Sequence, residues 1–279
     1  MQLWMARRTQ HGADVCADGS YPFRKLARPP FSTLRKEHPM TPETPKLSDH
    51  PVVSQEHWLA ARIDLLKKER ELTEELDKLH AARRALPWRR VEKDYVFEGP
   101  DGPARLSDLF NGRSQLAIYH FMLAPGSDHI CPGCAYLSDH VDAARQHFEQ
   151  ADLSFAAISR APIAQIEAVK ARMGWRFAWL SSGDSDFNYD FNVSFSPEQR
   201  ANGGAPYNYG KERVEKASDM FGLSIFVQRP GNDAIYHSYS TYRRGAELLM
   251  GAANWLDLTP KGRNEDGAAH SWVRLHDTY

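Results

Sequence analysis

The sequence predicts an α/β protein: a mixed sheet flanked by helices, preceded by one long helix. Three observations lead there. Between residues 115 and 181, apolar runs alternate with segments of helical period, as parallel strands joined by crossover helices do. Near the C-terminus two strand-like runs meet at a Pro-Gly-Asn turn, which adds an antiparallel pair and makes the sheet mixed. Upstream, apolar residues recur every seven positions, the signature of a long helix with one sticky face.

The 279 residues are 42% hydrophobic and 11% aromatic, enough to build a sizeable core. Lys plus Arg number 35 against 36 Asp plus Glu, for a formal net charge of -1. That balance gives no field for nucleic acid or an anionic membrane, so a small, roughly neutral molecule or a protein is the expected partner. No apolar run approaches the roughly 18 residues of a spanning helix, and the N-terminus lacks the apolar core of a secretory signal. A cytoplasmic location is expected.

Residues 1–45 read as a disordered extension, because residues 1–39 are rich in Arg, Lys and Pro without a sustained apolar period. Asp14, Asp18 and Glu37 interrupt the basic pattern of an organellar peptide, and Met40 could itself begin the working chain. Cys16 is incidental on this reading. Residues 46–90 form a helical arm. Ser54 is its N-cap and Pro87 its stop, and Trp58, Leu65, Leu72 and Leu79 form the stripe, widened by Ile63 and Leu76. The stripe must lie on something: the chain's own domain, the favoured option, or a partner in a homodimer.

Residues 91–260 form the domain proper. "DYVFEGPDGPARLSDLF" is a strand, a Gly/Pro turn and a second short element. "SQLAIYHFML" is a strand, followed by a loop holding two cysteines and a helix with Leu137, Val141, Ala144 and Phe148 on one face. "LSFAAIS" is a strand of buried type; the helix after it has Pro162 at its start and Gly174 past its end. "RFAWLSS" is another strand. Residues 182–219 are a long irregular stretch of the kind that surrounds sites. The hairpin "GLSIFVQRPGNDAIYHSYSTY" and an amphipathic segment around "GAELLMGAANWLDL" follow, and residues 261–279 are a tail packed on the domain.

The chemistry is concentrated in "GSDHICPGCAYLSDH", residues 126–140. A thiol at a helix N-terminus loses its proton more readily than a free cysteine, whose pKa is near ~8.5. Cys131 stands there. Cys134, one turn later, is placed to attack a mixed disulfide on Cys131. Pro132 fixes one backbone angle at the helix start, and Gly133 permits close approach of a partner. A protonated His129 would favour the thiolate and Asp128 would oppose it. Zinc binding and inert packing remain alternatives, though His129, Cys131 and Cys134 supply at most three local ligands. A nucleobase deaminase needs H-x-E upstream of its cysteines, whereas His147 and Glu149 lie downstream. Asp184, Asp186, Asn188 and Asp190 begin like a calcium loop, but Tyr189 and Phe195 occupy its glycine and closing glutamate positions. "NGGAPYNYG" lacks the spacing of a phosphate loop. No cofactor and no metal are expected.

From about Ser54 to Tyr279 the chain resembles a bacterial family of unknown function, designated by prediction as dithiol-disulfide oxidoreductases of thioredoxin-like fold. The resemblance rests on "ALPWRRVEKDYVFEGPDG", "SQLAIYHFM", "CPGC", "SRAPIAQIEAVKARMGW", "SDFNYDF", "YHSYSTYRRG" and "LDLTPKGRNEDG". It implies a thioredoxin-like sheet, Cys131 as nucleophile and Cys134 as resolving thiol. Tyr136, Arg160 and Tyr239 are further candidates to line the site. A peroxiredoxin-like peroxidase is the nearest rival, but Asp128 and Ala124 stand where that motif has Thr and Pro. Thioredoxins carry a proline before a late strand; here Phe221 and Gly222 occupy that place. A non-enzymatic binding protein with structural or zinc-binding cysteines is the remaining alternative.

Overall fold

A computed structural model describes residues 47–279 except 184 and 230; the expected extension over residues 1–45, with Cys16, lies outside the described residues. Residues Asp49–Tyr279 form one unit. It opens on helix α1, Gln55–Arg84, whose N-cap Ser54 accepts from the His57 N–H and whose last turn carries Arg83 and Arg84 against the helix dipole. The expected packing of its stripe on the domain is corrected here. No residue of α1 is buried, and Trp58, Leu65, Leu72 and Leu79 are between 45% and 61% exposed. The helix joins the domain at Pro87 with Trp58, Leu65, Leu72 and Leu79 open along it and Leu66 and Leu76 half-buried.

The sheet contains β1 (Arg89–Arg90), β2 (Val96–Gly99), β3 (Gly102–Arg105), β4 (Gln115–His120), β5 (Leu153–Ser159), β6 (Ala178–Ser181), β9 (Gly222–Gln228) and β10 (Ile235–Thr241), in the order β1-β10-β9-β4-β5-β6-β2-β3. A small separate hairpin is made by β7 (Ala205–Tyr207) and β8 (Glu212–Val214). Strands β4, β5 and β6 are parallel, whereas β9 runs antiparallel to β4 and pairs with β10 as a hairpin. A strand, a cysteine-bearing helix, a parallel strand and a closing hairpin on the far side of the first strand make the thioredoxin-like arrangement.

The alternation of β4 divides the core. Ala117 and Tyr119, followed by Phe121, face helices α2 (Pro132–Asp139), α3 (Val141–Gln150), α4 (Ile163–Met173) and α7 (Gly251–Leu256). Leu116 and Ile118 face the opposite way, toward Phe97 and Leu180 and toward Phe187 and Phe191, which the short helix α5 (Phe187–Asp190) brings in. His120 lies on that second face, stacked on Phe187 and Phe191 and hydrogen-bonded through Nε2 to Ser224. The Ser224 hydroxyl continues to Ser240, which meets His237.

The sequence pattern reads one helix after the cysteines; the structure has two, α2 and α3, parted at His140. The His140 Nδ1–H donates to the Tyr136 carbonyl at 2.6 Å, taking the acceptor that a continuing α-helix would use, while its own N–H bonds Leu137. Its Nε2 accepts from the Ala252 N–H, tying the break to α7. Residues 182–219 contain α5, the capped helix α6 (Pro197–Ala201) and the β7–β8 hairpin. Their length follows from the sheet order. The chain must return from β6 past β5 and β4 to reach β9, three strand spacings or about 14 Å. Among the described residues no helix is long and apolar enough to cross a membrane.

Candidate functional site

Two fixed ends hold the loop between β4 and α2. The Phe121 N–H bonds Ile158, the Ala161 N–H bonds Leu123, and the Gln165 amide reaches the Ser127 carbonyl at 2.7 Å. This delivers Cys131 to the N-cap of α2 with Pro132 in the first turn. Its sulfur does what a cap oxygen does: it accepts the Cys134 N–H at 3.4 Å. Cys131 is half-buried and Cys134 fully buried, and both are free thiols.

These surroundings push the two thiols in opposite directions. Cys131 is drawn down from the ordinary thiol value to about 6, first by the hydrogen bond from the Cys134 side chain. Burial opposes this, and the Cys134 and Gly133 N–H groups and nearby His129 reinforce it. Cys134 is pushed well above the ordinary value, first by burial and then by the Cys131 sulfur. The Tyr119 hydroxyl beside the Cys134 sulfur works the other way, favouring its thiolate.

Both cysteines open on a cavity of about 380 Å³, lined by Tyr119, Met122, Met220, Phe221 and Met250 together with Arg243, Arg244, Glu247 and His270. Larger clefts lie elsewhere, such as one of about 970 Å³ along β2 and Ser181–Gly183, but none of their linings includes a cysteine. Met220 and Phe221 occupy the turn before β9. The Tyr207 hydroxyl donates to the Phe221 carbonyl at 2.6 Å, and the Met220 N–H bonds Val193. Gly222 then lies so close to the Tyr242 ring that an added Cβ would sit 2.9 Å from it.

The candidate residues separate on inspection. Cys131, Cys134 and Gly133 line the cavity, Pro132 starts the helix beside it, and His129 is exposed on the approach. Arg160 does not reach the cavity. It grips buried Asp219 with two nitrogens, each at 2.7 Å, and lies over Tyr189. Asp219 also accepts from Ser194 and Ser218, so Arg160 anchors the turn that presents Met220 and Phe221. Tyr136 is buried, its ring against His270 and Trp272 and its hydroxyl without a hydrogen-bond partner among the described residues. Tyr239 lies away from the thiols, in a separate cleft with Arg89 and His237 and under the Arg83 guanidinium. Among the described residues no three His, Cys, Asp or Glu side chains converge as metal ligands.

Sequence reasoning does not single out Tyr119, Met220, Met250, Arg243, Arg244 or His270. Tyr119 alternates with Phe121 on the strand that leads into the cysteine loop, and Arg243 and Arg244 lie in the segment "YHSYSTYRRG" that carries the resemblance, signals that could have found them.

Residues 47–279 match the family described as "Bacterial protein of unknown function (DUF899)", and the chain belongs to that family. No curated protein matches it. Among solved structures it is similar to the peroxidoxin BcpB of Mycobacterium tuberculosis, at 15% identity and a TM-score of 0.41, covering 60% of this chain and 97% of that one. PrxQ of Xylella fastidiosa follows at 13% identity and 0.41, covering 60% and 94%. Peroxiredoxin Q of Xanthomonas campestris matches at 16% identity and 0.40, covering 61% and 98%.

Proposed function

We propose that the chain is a thiol-disulfide oxidoreductase in which Cys131 is the nucleophile and Cys134 the resolving thiol. One observation carries this reading: the cavity-facing thiol is a helix N-cap with a lowered pKa, and the second thiol is buried directly behind it with a raised one. The Cys131 thiolate attacks one sulfur of a disulfide R–S–S–R; a new S–S bond forms, the old one breaks, and RS⁻ leaves with the electron pair. Cys134 then gives up its proton and attacks the Cys131 sulfur. The second RS⁻ departs and an intramolecular disulfide remains. The Tyr119 hydroxyl stabilises the Cys134 thiolate as it forms, which offsets the burial that otherwise keeps that sulfur protonated. A dithiol donor reverses the sequence.

The test is a mass and thiol titration of the reduced protein before and after a disulfide substrate, with zinc measured on the same sample. The expected result is loss of two hydrogens and of the Cys131 and Cys134 thiols together, reversed by a dithiol. Retained thiols, or stoichiometric zinc that protects them, contradict the proposal.

A further inference from the structure

We infer that the cavity over Cys131 selects low-mass disulfides bearing a carboxylate, held by Arg244 and His270; the inference rests on the thiol-disulfide reading above. At about 380 Å³ the cavity is at the small end of ligand pockets, which run from roughly 300 to 1,000 Å³, so it suits a small molecule. Its floor and walls are apolar, and two of the polar groups in its lining are already committed. Arg243 pairs with Glu212 at 2.7 Å and lies over Tyr207. Glu247 is held from two sides, by Arg244 at 3.1 Å and by Arg263 at 3.2 Å, while Arg263 also pairs with Asp257.

Arg244 is the cation free to act. Its side chain is 80% exposed against 13% for Glu247, so its ion pair is weak, and Arg263 stays beside Glu247 when Arg244 swings to a ligand. His270 supplies the second group. Its Nε2 is buried and has no hydrogen-bond partner among the described residues, and His270 lines the cavity with its main chain held in the left-handed region at φ 58°. A buried ring nitrogen without a partner is uncommon in a native fold, and a carboxylate oxygen would satisfy it. With Arg243 held by Glu212, the exposed Arg244 guanidinium and the orphaned His270 nitrogen are the groups that favour an anion. The apolar body of the ligand lies along Met220, Phe221 and Met250, methionines being adaptable to varied shapes. The reaction is the exchange already written: Cys131 takes one half of the disulfide and the other leaves as its thiolate.

The experiment uses full-length protein with Cys16→Ser and Cys134→Ser, so that the adduct on Cys131 accumulates and is followed by mass. Three probes are compared: dithiodipropionate (anionic), hydroxyethyl disulfide (neutral) and cystamine (cationic). Each rate is divided by that of the same disulfide with a free thiol in solution, which removes leaving-group acidity. The anionic probe is expected to exceed the cationic one by ten-fold or more. Arg244→Glu is expected to abolish or reverse that order, and His270→Gln to reduce it. Equal normalised rates, an order unchanged by both substitutions, or faster reaction with a protein disulfide than with any of the three would overturn the selectivity. No adduct from any disulfide, with Cys131 still open to iodoacetamide, would instead overturn the thiol-disulfide reading itself.

Discussion

At the scale of single residues, the proposed function rests on two sulfurs three positions apart in different surroundings. With Cys131 drawn down to about 6, its alkylation rate should rise through that pH and level off by neutrality, while Cys134 stays inert until far above the ordinary thiol range. Site-resolved alkylation with iodoacetamide measures both; parallel profiles would refute the assignment. The Cys131 contribution has the sign of a lowered acid, fully present above the ordinary thiol pKa and lost as pH falls through about 6, whereas the raised Cys134 has the opposite sign and loses its contribution as pH rises above the ordinary thiol pKa. Tyr119→Phe removes the hydroxyl from the Cys134 sulfur, so the mixed disulfide on Cys131 should resolve about ten-fold more slowly, the worth of a hydrogen bond to a charged group. The pH at which resolution reaches half its maximum should also move upward, which a merely structural role would not produce. The cysteines were legible in the sequence because a cap is a local device, written in adjacent residues. Tyr119, Arg244 and His270 were not, because only the closing of the sheet and the tail brings them together.

At the scale of elements, the strands and helices were legible as periods, and what escaped was decided by single side chains or distant partners. The break between α2 and α3 is one such case, since the His140 ring competes for a carbonyl that the apolar period alone assigns to the helix. The turn before β9 is another. Arg160, first a candidate lining residue, holds it from outside through Asp219. Removing one partner of a pair this buried costs about 3 kcal/mol, so Arg160→Met should lower the melting temperature and slow adduct formation. A lowered melt with an unchanged rate would separate the anchor from the site. For α1, whose leucines are open, we propose a second copy of the helix as occupant. The seven-residue recurrence of exposed apolar residues suits a coiled-coil seam. Sedimentation should report a dimer for the natural sequence and a folded monomer for Leu65→Glu with Leu72→Glu. A monomer in both would remove the seam, and unfolding of the variant would mean that the stripe is core.

At the scale of the whole molecule, the sequence made the fold class readable but not the strand order, since a run such as β6 or β9 reads alike wherever it sits in the sheet. The long return from β6 to β9 appeared only as an irregular stretch, yet it carries the turn over the thiols. The same sheet buries polar groups that set the response to acid. His120 is pushed down to about 3 by burial, and His237 is lowered for the same first reason. Both must charge on unfolding, so their contribution is intact above about pH 6.5 and is lost as pH falls toward their folded values. Asp219 is kept below the ordinary carboxylate range: burial opposes this, but Arg160, Ser194 and Ser218 outweigh it, and its contribution fails only at still lower pH, through its folded value. Thermal melts from pH 7 to 4 should fall steadily, and His120→Gln should flatten that slope; an unchanged slope would contradict the role given to His120.

The most direct test of the central claim is the mass of the adduct formed by single-cysteine variants, in a Cys16→Ser background, after exposure to a disulfide. Cys134→Ser should hold a stable mixed disulfide on Cys131, and Cys131→Ser should form none over the same time. A lasting adduct on Cys134, or equal labelling of the two variants, would contradict the division of labour between the two thiols.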